Sequence, residues 1–69
     1  MAYRDATVTI QRRLSGGDVI DITVAFGKRG PRWFIKDILD EDGRQVVLTK
    51  REEEAARKMV EAGYDETGR

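Results

Sequence analysis

Strict two-residue alternation over Val19 to Phe26, "VIDITVAF", constrains this chain more than any other feature. Ile20, Ile22, Val24 and Phe26 fall on one parity, with Asp21, Thr23 and Ala25 on the other. That period belongs to a half-buried β-strand and not to a helix. Thr7 to Leu14, "TVTIQRRL", repeats the pattern: Val8, Ile10 and Leu14 share one parity, and Thr7, Thr9, Gln11 and Arg13 the other. Arg12 interrupts the apolar side. Between the two segments stands "SGGD", Ser15 to Asp18, whose glycine pair suits a turn that needs positive φ. The two segments predict an antiparallel hairpin.

Beyond Pro31, "RWFIKDIL" predicts a third strand with ambiguous faces. Trp33, Ile35 and Leu39 share a parity with Asp37, whereas Phe34 and Ile38 share the other with Lys36. Such a strand is either apolar on both sides or carries a bulge that switches its register. "DEDG", Asp40 to Gly43, predicts a second hairpin turn, and "RQVVL" a short fourth strand. The period then changes. Thr49 and Glu52 have capping-box spacing, Glu52 to Glu54 suit the positive end of a helix dipole, and Ala55, Ala56, Met59 and Val60 form an apolar stripe. Gly63 supplies a left-handed stop, with Tyr64 placed to fold back on Met59. The expected fold is α+β: an antiparallel four-stranded β-meander with one C-terminal α-helix packed on one face, ββββα. One domain over 1–64 and a flexible tail over 65–69 complete the expectation.

The chain has 69 residues, no cysteine and no histidine. It therefore lacks a disulfide framework and the commonest zinc ligands, and a core this small must rest on packing or on surface borrowed from a partner. Catalysis is poorly provided for, because the usual base and the usual thiol nucleophile are both missing. The Asp40, Glu41 and Asp42 carboxylates belong to a turn sequence that needs no cation to explain it. No residue is assigned a catalytic, cofactor or metal role, no small-molecule substrate is evident, and no apolar run approaches the length of a membrane span. A cytoplasmic location is the expectation, consistent with the absence of cysteine.

Thirteen basic residues balance thirteen acidic ones, but unevenly along the chain. Between Gln11 and Lys36, six cations face two acids; between Asp37 and Glu54, seven acids face three cations. The basic half centres on "FGKRGPRW", Phe26 to Trp33, read as a glycine-flanked loop between strands. Its glycines could aim backbone N–H groups at an anion, and Trp33 could stack on a base. Arg12, Arg13, Lys28, Arg29, Arg32, Trp33 and Arg44 are the candidate nucleic-acid contacts, for DNA or RNA. The first reading is a non-enzymatic module that contacts nucleic acid through this basic loop and the sheet face. The second is a protein-interaction module (an adaptor, inhibitor or homodimeric subunit) that uses a sheet edge or the exposed sheet face.

Residues 32–63 add a resemblance. An aromatic strand at Trp33, the turn Asp40, Asp42, Gly43, Arg44 and a helix led by Thr49 with Glu53, Ala55 and Ala56 resemble a sheet-plus-helix module. That module is shared by plant ethylene-response-factor DNA-binding domains and the arm-type N-terminal domains of tyrosine integrases. The resemblance implies a three-stranded antiparallel sheet laid into a DNA major groove and backed by the helix. This chain departs from those families where "IKDILDED" ends in acids and where Val47 and Leu48 precede the helix.

Overall fold

A computed structural model describes residues 3–63, with the backbone alone for residues 3 and 4. Three strands and one helix follow one another: β1 (Tyr3–Arg13), β2 (Val19–Arg29), β3 (Arg32–Leu39) and α1 (Lys50–Glu61). The sheet is antiparallel, in the order β1-β2-β3. The expected contact of Tyr64 with Met59 and the tail over 65–69 lie outside the described residues.

The first hairpin forms as the alternation predicts. Val8 lies opposite Val24 and Ile10 opposite Ile22, so the apolar parities of both strands share one face. Leu14 donates its N–H to the Asp18 carbonyl at 2.7 Å, and Gly17, at φ 92°, makes the reversal. The second hairpin is tighter than its composition suggests. β2 runs on to Arg29, and Gly30 (φ 61°) with Pro31 forms a two-residue turn. A positive φ followed by proline's fixed negative φ has the sign pattern of a type II′ turn. Gly27, expected to shape a loop, is therefore a strand residue. Its role is steric: an ideal Cβ there would come within 2.7 Å of Cζ of Phe34, its cross-strand neighbour.

β3 resolves its ambiguous parity by a bulge. Phe26 pairs with Ile35 but Ala25 with Asp37, so Lys36 is an extra residue in the ladder. Trp33 and Ile35 before it, and Ile38 after it, consequently face the helix. Phe34, Asp37 and Leu39 face outward. One inserted residue lets two opposed parities serve a single core.

A fourth strand does not form. Asp40 closes the predicted turn, its Oδ1 accepting the Asp42 and Arg44 N–H groups at 2.9 Å each. Pairing then ends after one bridge, Leu39 to Gln45, made by the Asp40 N–H to the Arg44 carbonyl at 2.9 Å and the Val46 N–H to the Ile38 carbonyl at 3.1 Å. Val46 and Leu48 turn onto the core instead, and the Val47 carbonyl accepts from Arg12 Nη2 at 2.7 Å. The chain leaves the sheet because those contacts lie across it, not along it.

Thr49 caps α1 with a complete capping box: its hydroxyl accepts the Glu52 N–H, and Glu52 accepts the Thr49 N–H. Ala56 and Val60 are buried on Ala6, Val8, Ile10, Ile22, Val24 and Phe26. Met59 flanks them, whereas Ala55, expected in the apolar stripe, faces solvent. The buried line of a helix follows i, i+4, and Ala55 is a third of a turn off the Ala56–Val60 line. Among the described residues, no helix is long and apolar enough to cross a membrane.

Arg12, the residue that broke the apolar parity of β1, joins helix to sheet. Its Nε and Nη2 meet the two carboxylate oxygens of Glu52 at 2.9 and 2.6 Å. The side chains are only 25% and 18% exposed, which separates this pair from ordinary surface ion pairs. The Arg12 hydrogen bond holds the Glu52 carboxyl down from near 4.5 to about 2, against the opposing effect of burial and with help from the Thr49 N–H. Because the folded-state value is depressed, the stabilisation is complete above the unfolded value and is lost as pH falls through the folded one. The wild-type unfolding free energy should thus decline between about pH 4.5 and pH 2. In Glu52→Gln that part of the decline should be missing, as chemical denaturation across this range would show. Arg12→Ala should cost about 2 kcal/mol at neutral pH, lowering Tm by about 10 °C.

Candidate nucleic-acid interface

The seven candidate residues fall into two groups at opposite ends of the sheet. Register places Arg13 opposite Val19 and Tyr3 opposite Arg29. Val19 and Arg29 are the two ends of β2, about 33 Å apart at the rise of an antiparallel strand. Arg13 lies at the first end, exposed on the outward face. Arg12 is beside it but faces the helix, occupied by Glu52 and the Val47 carbonyl. Arg44 belongs to the Asp40–Gly43 turn, its N–H bonded to the Asp40 carboxylate. These three arginines do not join the others.

Lys28, Arg29, Arg32 and Trp33 come together at the second end because the Gly30-Pro31 turn is so short. Arg29 and Arg32 pair directly across it, both exposed. Like charges placed opposite one another disfavour the hairpin unless an anion or solvent screens them. One position further in, Lys28 pairs with Trp33 on the helix face, its Nζ 5.1 Å from the ring centroid. Trp33 is half-buried, edge-on to Phe26 at a centroid distance of 6.3 Å. One side of the indole is thus covered by an ammonium and its rim by an aromatic core residue. The backbone expected to offer N–H groups in a loop is instead part of the β2–β3 ladder.

Two residues not among the candidates complete this end. Arg57, on the last turns of α1, donates from Nη1 to the Trp33 carbonyl at 3.1 Å and from Nε to Glu53 at 3.2 Å. In sequence Arg57 reads only as a cation toward the negative end of the helix. Phe34 faces outward, 39% exposed, with Cζ and Cε2 over the bare backbone of Gly27. Its parity, opposite to that of Trp33, was the available signal. An open groove of about 620 Å³ at this end is lined by Arg29, Pro31, Arg32, Trp33, Phe34, Arg57 and Glu61. Three arginines and two aromatic residues thus line it, with one glutamate.

The outward sheet face between the two basic ends is not cationic. By register it carries Thr7, Thr9, Gln11, Asp21, Thr23 and Asp37, and Lys36 there is paired with Asp5 at 3.0 Å. Glu41 adds a carboxylate at the edge, where it accepts the Asp21 N–H at 2.9 Å.

Trp33 is the only tryptophan, so its fluorescence reports on this end alone. Lys28→Gln should shift Trp33 emission through loss of the ammonium over the ring, at a cost of about 0.5–1 kcal/mol in stability. An unchanged emission spectrum in a folded Lys28→Gln protein would mean that the contact is not kept in solution. Comparison with protein-family models, curated proteins and solved structures finds no match for this chain.

Proposed function

We propose that this domain is a small non-enzymatic binding module that contacts nucleic acid at the β2–β3 hairpin end. One observation carries the reading: Arg29, Arg32 and Arg57 line one groove with Trp33 and Phe34, and Lys28 stands over the Trp33 ring beside it, in a chain with no net charge. Guanidinium forks suit phosphate oxygens, and the exposed Phe34 ring beside them suits a base or ribose. The three-stranded sheet backed by one helix also supports the reading, being the arrangement implied by the resemblance to the ethylene-response-factor and integrase modules. The contact differs from theirs in place, because the basic groups here gather at one end of the sheet. A cysteine-free chain of this kind suits a reducing, cytoplasmic setting.

A second reading draws on a different groove. About 440 Å³ beside the β3 bulge is lined by Ile35, Ile38, Val46 and Val47 with Lys36, Asp37 and Gln45, and Val47 is 84% exposed. An apolar protein segment, including one from a second copy, fits such a surface. Monomeric behaviour at high concentration, with no change on Val47→Lys, would leave this reading without support.

Salt separates the readings. Retention on mixed-sequence nucleic acid should fall steeply as salt rises, with a log–log slope of about 0.7–0.9 per phosphate neutralised. Arg29→Ala with Arg32→Ala should reduce that slope by about one to two, whereas Arg13→Ala should leave it unchanged. If no DNA or RNA binds at low salt, the proposal fails.

A further inference from the structure

We infer that the nucleic acid held at this end is single-stranded, with a base stacked on Phe34. The inference rests on the function proposed above and narrows it to a ligand class. Phe34 is the one aromatic side chain on the outward sheet face among the residues whose side chains are described. It is kept there at 39% exposure with no side chain beneath part of its ring, because Gly27 has none. The ring thus lies close to the strand surface, as a base platform must. Trp33 cannot serve in that way: Lys28 covers its ring and Phe26 abuts it.

The cations are spaced for a short run of phosphates. Arg32 is two residues before Phe34 on β3 and pairs with Arg29, so both arginines stand on the outward face to one side of Phe34. Lys36, two residues on, flanks the other side while paired with Asp5. A single strand can place one base on the ring and its neighbouring phosphates on those groups, since its bases are unstacked and its backbone is free to bend.

A duplex is poorly matched to the same surface. Its axis carries one charge per about 1.7 Å, and a sheet laid in its groove needs cations along the contact. Here the next basic residue on the outward face beyond this end is Arg13, at the far end of β1, with Asp21 and Asp37 in between. A buried Watson–Crick pair also offers no face on which Phe34 could stack.

The full chain would be titrated by fluorescence anisotropy into labelled mixed-sequence single strands of about 12 nucleotides, DNA and RNA, and into the matching duplexes. Single strands should bind at least about tenfold more tightly than duplex at the same salt. Phe34→Ala should weaken single-strand binding by roughly ten- to a hundredfold, and Phe34→Trp should restore it. Unchanged far-ultraviolet dichroism in both variants, with unchanged Trp33 emission in Phe34→Ala, would establish that they are folded. Duplex binding equal to or tighter than single-strand binding would overturn the inference while the proposed function stood. Loss of binding in the Arg29 and Arg32 variants with none in a folded Phe34→Ala would overturn the stacking. Absence of binding to every oligonucleotide would remove the proposed function itself, and the inference with it.

Discussion

Arg12 with Glu52 is the interaction on which the arrangement of this small domain turns. The helix offers only Ala56 and Val60 as fully buried residues, a narrow footing on a three-stranded sheet. Docking by so little apolar area leaves the helix free to slide unless something pins it. Two charged hydrogen bonds pin its first turn to the end of β1, and a third, to the Val47 carbonyl, pins the crossing segment at the same point. Glu52 serves twice, accepting also from the Thr49 N–H, so the capping of the helix and its attachment to the sheet are one network. With Arg12 consumed in structure, it is withdrawn from any ligand, and the basic residues that gather with aromatic ones are those at the opposite end, where the helix finishes.

The edge of the sheet on that side is met by three side chains and one backbone N–H in place of a fourth strand. Arg57 meets the Trp33 carbonyl, Val46 the Ile38 carbonyl, the Asp37 carboxylate the Ile38 N–H, and Glu41 the Asp21 N–H where β2 runs past β3. A strand edge left open invites pairing with another chain, and these contacts blunt it together with the bulge at Lys36. Beside the groove at Trp33, the Trp33 carbonyl is already taken by Arg57. Recognition by side chains at a closed edge is the setting that the proposed nucleic-acid contact requires.

Local chemistry was legible in the sequence, and contacts across the fold were not. The first hairpin and the capped helix follow from alternation, glycine placement and the Thr49–Glu52 spacing, all within a few residues of one another. The bulge in β3 was one of two readings of its mixed parity, and only pairing with β2 selects it. The fourth strand failed because Val46, Leu48 and the Val47 carbonyl have better partners across the sheet than along β3. Gly27 looked like a turn residue because its second role, making room for a ring on the neighbouring strand, depends on a register that composition does not reveal. The basic candidates divided for the same reason. Arg12 and Lys28 point to the helix face, Arg13 and Arg29 to the other, and the length of β2 separates the two ends.

Gly27 and Phe34 also bind two positions of this chain into one unit of sequence variation. A side chain at 27 collides with the ring at 34, so a change from glycine is penalised only while the ring is present. Once the ring is gone, the nearest atom left is Cδ of Lys36, at 3.0 Å on a flexible chain that can move aside. The two substitutions are therefore not additive: replacing the glycine costs more while the ring is in place than after it has gone. A chain without the ring tolerates a side chain at 27 more readily than one that keeps it.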